Sequence, residues 1–224
     1  NDKIGVSNNT GVFANYAYRI RLTNAGTLAL GLSAGVSQFK ANLSEVKSSS
    51  NTAVSDPAFS ENQVRMLPNF GAGIYYSTDK LYMGISMPHL LNNKLANDFA
   101  NATGNERARQ FRHLFVAFGG VLAVSNNLKL KPSLLYKYVH AAPMQLDLNC
   151  NFWFHDVFAL GASYRTDKTV VALVEIQATP QFRVGYAYDL NFKKISPANS
   201  GSHEIMMRYE FAFNKKKFLT PRYF

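Results

Sequence analysis

The chain has 224 residues, of which 47% are hydrophobic, and it carries a formal net charge of +10. Its apolar residues are dispersed, and no run reaches the length of about 18 residues that a transmembrane helix needs. The single cysteine, Cys150, excludes an internal disulfide. The 24 Lys and Arg residues are spread along the chain, with one run at Lys215–Lys217, and this dispersal argues against nucleic-acid binding.

Apolar and polar residues alternate along most of the chain, a period of two that is typical of β-strands. Between Phe182 and Leu190, for example, every second side chain is large and apolar, whereas the residues between them are charged or small. Successive side chains of a strand point to opposite faces, so each such segment forms a ribbon with one apolar face. Pro132 interrupts one segment, and its missing N–H donor predicts a bulge or a local break in pairing. The pattern predicts about eleven strands, near residues 10–22, 27–41, 66–78, 80–88, 111–124, 128–139, 143–154, 157–165, 169–178, 181–191 and 203–213.

The predicted strands and their connections favour a membrane barrel. Several strands reach the roughly nine to eleven residues that a tilted strand needs to cross a bilayer. The long connections, at 42–65, 89–110 and 192–202, all fall at the same end of the strands. Outer-membrane barrels have short periplasmic turns and longer external loops, so we expect these loops to be extracellular and the C-terminus to be periplasmic. The same alternation of strand ends places residues 1–9 on the extracellular side. Outer-membrane barrels usually begin in the periplasm, and we therefore expect further N-terminal strands to precede this chain.

A soluble β-sandwich also alternates and is the main alternative fold. Its polar face would be solvated and rich in long polar side chains. Two predicted strands carry small residues on that face instead, which suits a crowded lumen better than a solvated surface. These residues are Ala29, Gly31, Ser33 and Gly35 in one strand, and Ala159, Gly161 and Ser163 in the other. The sequence thus predicts an all-β, antiparallel transmembrane β-barrel over residues 1–214, followed by a basic and aromatic periplasmic tail over residues 215–224.

Charged residues on the non-apolar face are the main candidate site, because charges inside a barrel can pair with one another or with water. These candidate lumen residues are Arg19, Arg21, Lys129, Lys131, Lys137, Asp147, Arg165, Glu175, Arg183, Asp189, Glu204, Arg208 and Glu210. Three interpretations are open. The charges form a polar network that fills and rigidifies the barrel, or a basic patch that receives an acidic segment of a partner or plug, or a selective anion channel.

The C-terminal tail is the second candidate site. Basic residues beside aromatic ones mark either the membrane boundary or a docking peptide for a periplasmic protein. The residues concerned are Lys215, Lys216, Lys217, Arg222, Tyr223 and Phe224.

No catalytic, cofactor-binding or metal-binding motif is predicted. The five histidines are scattered and Cys150 has no nearby partner, so metal-ligand spacings are absent. His203 and Glu204, with a nearby serine, could serve a hydrolase only if nucleophile and base lay side by side. An ordinary pair at a strand entrance is the favoured interpretation, and we expect the protein not to be an enzyme.

Six phrases of the sequence are more specific than the alternation. They read DPAFS at 56–60, PNFGAGIYY at 68–76, YMGISMPHLL at 82–91, FRVGYAYD at 182–189, SHEIMMRY at 202–209 and PRYF at 221–224. Together they resemble the PorP/SprF family of type IX secretion system outer-membrane proteins from Bacteroidota, from about residue 56 to the end of the chain.

The resemblance implies a barrel of about fourteen strands. Such a protein would lie in outer-membrane lipid and help to secrete cargo proteins or attach them to the cell surface, gliding adhesins among them. The implied partners are periplasmic and outer-membrane subunits of the secretion system and the cargo itself, including its C-terminal domain. The alternative function is an outer-membrane channel for small anionic solutes.

Overall fold

Thirteen β-strands make up most of the part of the chain that is described. The computed structural model describes residues 1–22, 26–43, 62–94, 110–140, 142–192 and 201–211. The strands form one sheet, in which β1 to β6 are followed by β8 to β13 and β7 pairs with β8. They are β1 (Asp2–Ile4), β2 (Ser7–Arg21), β3 (Gly26–Ala41), β4 (Gln63–Thr78), β5 (Leu81–Met87), β6 (His113–Gly120), β7 (Leu122–Ser125), β8 (Leu128–Val139), β9 (Gln145–Phe154), β10 (Phe158–Arg165), β11 (Thr169–Gln177), β12 (Phe182–Asn191) and β13 (Ser202–Tyr209).

The predicted all-β, antiparallel fold class is confirmed, and each predicted segment overlaps an observed strand. One of the two additional strands is β1, which pairs with the start of β2 through partners such as Asp2 with Asn9. The turn between them contains Gly5, whose φ of 57° is a left-handed conformation that glycine adopts without strain. A strand of three residues is too short to show alternation, so the sequence pattern did not reveal it.

The other additional strand arises from a break in the predicted segment 111–124. Val121 separates β6 from β7, and its N–H donates to the carbonyl oxygen of Lys80 at 2.7 Å. The pairing of β7 with β8 also shifts register between Ala123 and Ser125. No break is found in the pairing of β8 with β9, which continues through Pro132 and Cys150. The register shift of β7 lies opposite Leu128 and Lys129 instead.

The apolar face of the sheet is exposed, and the polar face is the more buried one. Ile205 and Met207 on the apolar face are each 71% exposed, whereas Lys131 and Thr169 on the other face are buried. A soluble β-sandwich would bury its large apolar side chains, so this distribution contradicts the sandwich alternative. It is the distribution expected where lipid covers the outward side chains.

The residues cluster into two compact units, which divide β2 to β6 between them. The first comprises Asn1–Tyr18, Leu30–Ile74 and Ser86–Leu114, and the second Arg19–Ala29, Tyr75–Ile85 and Phe115–Phe224. The described residues include no helix with the length and apolarity of a membrane span.

Several predicted features fall wholly or largely outside the described residues. Most of each long connection does so, since residues 44–61, 95–109 and 193–200 are not described. The tail at 215–224 and its predicted boundary at 214 also lie outside them.

Candidate functional site

The charged residues of β8 to β13 share one face of the sheet. Lys129, Trp153, Ala159, Glu175 and Gly185 are consecutive cross-strand partners from β8 to β12. Directly paired residues point to the same side, so the register places the predicted charges of these strands together. All of these residues belong to the second compact unit.

Asp147 holds two cations on this face. Its Oδ2 accepts a hydrogen bond from Lys137 Nζ at 2.7 Å, and its Oδ1 accepts one from Arg165 Nε at 3.1 Å. Arg165 lies directly opposite Asp147 in the β9–β10 register, and Lys137 lies diagonally across from it on β8. The Asp147 side chain is 13% exposed, so the carboxylate depends on these partners more than a surface group would.

A second ion pair joins Lys129 to a turn residue that the sequence analysis did not assign to the site. Lys129 Nζ donates to Asp156 Oδ1 at 2.8 Å and Oδ2 at 2.6 Å. Asp156 and His155 form the β9–β10 turn with φ values of 58° and 53°, and this left-handed turn brings the carboxylate back over β8. Asp156 is 54% exposed, so water competes for both partners.

These two aspartates give a matched prediction. We expect Asp147→Asn to lower the free energy of unfolding by about 1–2 kcal/mol, because Lys137 and Arg165 would both lose their anionic partner. Asp156→Asn should cost less than about 1 kcal/mol, as for other exposed pairs. Urea unfolding of the lipid-reconstituted protein measures both. Equal losses would show that the partial burial of Asp147 adds nothing.

Trp153, the only tryptophan of the chain, lies at the centre of a buried cluster. It is 4% exposed, and its ring centroid lies 4.0 Å from Lys131 Nζ and 4.7 Å from Arg183 Cζ. Lys131 is itself 8% exposed. Aromatic rings attract cations most strongly where water is excluded, so the ring stabilises the buried Lys131 and the half-buried Arg183.

Arg183 makes two further polar interactions in the same cluster. Arg183 Nε donates to Gln177 Oε1 at 2.7 Å, and its Nη1 lies 3.6 Å from Glu175 Oε2. Gln177 is the direct cross-strand partner of Arg183, and Ala159 opposite Trp153 is fully buried. A small residue at position 159 leaves room for the indole, which accounts for the small side chain at this one of the predicted positions.

The other predicted site residues are arranged less tightly. Arg208 pairs with Glu210 near the end of β13, with Arg208 Nη2 at 2.5 Å from Glu210 Oε1. Arg19 and Arg21 in β2 and Glu204 in β13 are exposed, and Asp189 in β12 is half-buried. The described residues show no ion pair for these last four. The predicted tail residues lie outside the described part of the chain.

A comparison with protein families agrees with a sheet whose apolar face is exposed and whose polar face is the more buried one. The family model for the type IX secretion system membrane protein PorP/SprF matches residues 1–209. The chain belongs to the PorP/SprF family. The match extends further toward the N-terminus than the six phrases indicated, and it leaves out the phrase at 221–224. No curated protein matches the chain.

The hydrolase alternative receives no support from the geometry of this PorP/SprF chain. His203 and Glu204 are neighbours on β13, so they point to opposite faces: His203 pairs with Tyr188, and Glu204 with Ala187. The Nδ1 of His203 lies 2.7 Å from the hydroxyl of Tyr186 on the apolar face. Within the described ranges, no group of three or more His, Cys, Asp or Glu residues could hold a metal ion.

Two of the family phrases meet in the first compact unit, through a buried amide that the sequence analysis did not identify as functional. Asn69 is 2% exposed, and its Oδ1 accepts hydrogen bonds from the N–H groups of Leu90 at 3.0 Å and Leu91 at 3.2 Å. Its Nδ2 donates to Gln110 Oε1 at 3.3 Å, and Asn93 Nδ2 donates to the same oxygen at 3.2 Å. Asn69 therefore fastens both ends of the β5–β6 connection to β4.

Proposed function

We propose that this protein is a non-enzymatic outer-membrane barrel of the type IX secretion system that supports the secretion or surface attachment of cargo proteins. Membership of a type IX secretion membrane family establishes the general setting. The observation that carries the proposal is the exposed apolar face of the sheet, since a protein with this face needs lipid around it. Docking of cargo or of secretion subunits is the step that we assign to the barrel.

The proposed orientation places the long connections outside the cell and the C-terminus in the periplasm. The alternation of short and long connections supports it. The described turns at residues 126–127 and 155–156 lie at the end that would face the periplasm. The short turn at residues 166–168 lies at the opposite end, so the support comes from the long connections, which all share that opposite end. Partners on the periplasmic side would be secretion subunits, and the basic tail is their proposed docking peptide.

Of the three interpretations of the charged face, the polar network is the one that the ion pairs support. Lys129, Lys137, Arg165 and Arg183 each contact a carboxylate of the same face or of its turn. A basic patch that waits for an acidic segment would leave such cations unpaired, and an anion channel would line a water path with them. Recording in planar bilayers separates these cases, because a network that fills the barrel gives no steady conductance.

Deletion of the gene tests the secretion role. We expect cargo to remain unsecreted or unattached in the deletion strain, and expression of the wild-type chain to restore surface display. A chain that lacks residues 215–224 then tests the proposed periplasmic docking tail, with insertion into the outer membrane checked separately. Normal display of every cargo protein in the deletion strain would refute the role.

The membrane location of the apolar face yields a prediction at the single cysteine. Cys150 points to that face between Pro132 and Ala162, whereas its neighbour Asn149 points to the polar face. A spin label on Cys150 should collide with lipid-soluble oxygen far more often than with a water-soluble nickel chelate. A label on Asn149→Cys, in a Cys150→Ser background, is the control and should not show this preference. The same preference for oxygen at both positions would contradict the assignment of the two faces.

A further inference from the structure

His89 lies at the start of the segment that Asn69 fastens, within the first compact unit. It follows β5, and its ring packs edge-on against Phe13 of β2, with the centroids 6.2 Å apart and the planes at 67°. On β6, His113 packs against it in a similar way, at 6.5 Å and 75°. The Nδ1 of His89 is buried and has no hydrogen-bonding partner among the described residues.

The surroundings of His89 favour its neutral form. The pKa of His89 is lowered from its usual value, first by burial and then by the positive charge that His113 can carry. β2 presents the uncharged ring of Phe13, and β4 presents the neutral amide of Asn69 to the next two residues. Among the described groups that act on His89, none is a carboxylate that would stabilise an imidazolium.

His113 is held so that the two rings stay together. Its Nδ1 lies 2.9 Å from the carbonyl oxygen of Phe111, an interaction in which the ring N–H donates. Gln110, one residue before Phe111, is bound by both Asn69 and Asn93. A charge on His89 would therefore act on a cluster that joins β2, β4, β6 and the segment after β5.

We propose that the contacts around His89 form an acid-sensitive latch. With His89 neutral, the segment Pro88–Asn93 stays fastened to β4 through Asn69, and protonation of His89 releases it. The latch concerns the chain itself and stands whether or not the secretion role holds. It gives the protein a means of moving the base of one connection when the surroundings become acidic.

The direction of the effect follows from the lowered pKa. Opening lets His89 return to the ordinary pKa of about 6.5 and so bind a proton more readily than in the closed form. The stability of the latch is fully present above pH of about 6.5 and is lost progressively as the pH falls below that value. At pH 5.5 the opening equilibrium can rise by up to about tenfold over its value at pH 7.5.

Hydrogen exchange of the intact protein in lipid vesicles measures this opening. The informative amides are Leu90, which donates to Asn69 Oδ1 and to the carbonyl oxygen of Phe70, and Leu91, which donates to Asn69 Oδ1. Both become free when the segment leaves β4. Protection factors are compared at pH 7.5 and 5.5, after correction for the intrinsic pH dependence of exchange. A peptide from β10 serves as the internal reference, because global unfolding would lower its protection as well.

The expected result is a fall in protection confined to residues 88–93 at pH 5.5. His89→Phe keeps a ring against Phe13 and His113 and should abolish this fall, and His89→Gln is the second variant if the phenylalanine variant does not fold. His155→Asn is the control, since His155 is exposed in a left-handed turn that asparagine tolerates, and it should leave the fall intact. Equal protection at both pH values in the wild-type chain, or an unchanged fall in the His89 variants, would overturn the proposal.

Discussion

Replacement of Trp153 by alanine is expected to lower the free energy of unfolding by about 3–5 kcal/mol, the range for large aromatic residues in packed interiors. The side chain is 4% exposed, so its removal leaves a cavity on the polar face. The same change takes the ring away from Lys131, which is buried and can regain little contact with water. Urea unfolding of the protein in lipid vesicles, followed by circular dichroism, measures the loss.

Two further variants at Trp153 separate packing from the attraction between ring and cation. Trp153→Phe keeps an aromatic face toward Lys131 and Arg183, whereas Trp153→Leu fills much of the volume with no ring. The phenylalanine variant should be the more stable of the two by about 0.5–2 kcal/mol, the usual size of a cation–aromatic contact. An alanine variant as stable as the wild-type chain would show that the cluster does not brace the strands.

A second large effect is expected at Gly71, one of the glycines of the phrase PNFGAGIYY. A Cβ atom at this position would lie 2.7 Å from the carbonyl oxygen of Pro88 and 3.0 Å from its Cα. These are backbone atoms of a segment that Asn69 holds in place two residues further on, so the segment cannot give way cheaply. We expect Gly71→Ala to lower the free energy of unfolding by about 1–3 kcal/mol, as overpacking does elsewhere.

Gly31 is the matched control for this collision. It also lies in a strand of the first compact unit, and a Cβ atom there would meet only the carbonyl oxygen of Gly73, at an ordinary 3.6 Å. Both substitutions remove the same conformational freedom from the unfolded chain, so the difference between them isolates the contact with Pro88. Gly31→Ala should change the stability by less than about 0.5 kcal/mol. Equal effects of the two substitutions would show that the segment after β5 moves freely.

The strands could be predicted from the sequence because one physical cause, the difference between the two sides of the sheet, acts on every second residue. In β12 and β13 that difference covers Phe182–Asn191 and Ser202–Tyr209, so a strand end that is misplaced by one or two residues leaves the pattern recognisable. The break at Val121 has no such signature, because it depends on a hydrogen bond to Lys80, a residue of another hairpin. β1 is missed for a different reason: three residues hold too few alternations to be recognised.

The sequence also predicts which charged residues share one face of the sheet, but it does not predict which of them contact each other. Alternation assigns Lys131, Asp147 and Arg183 to one side, whereas their partners are decided by the register between strands. Arg183 meets Trp153 across two intervening strands, a contact that no local pattern encodes. The sequence places Asp156 in a turn and gives no sign of its ion pair. The left-handed backbone at that position brings its carboxylate to Lys129.

The exposure of the apolar face and the burial of the polar face also determine which substitutions the chain can accept. Lipid is fluid and adapts to any apolar shape, so Ile205 or Met207 can be exchanged for side chains of other sizes as long as they remain apolar. Lys131 and Asn69 meet fixed neighbours, and each replacement must match them in size, charge and hydrogen bonding together. Mutations should therefore accumulate most readily at the large apolar residues, which in soluble proteins usually form a conserved core. They should accumulate most slowly at a few buried polar residues.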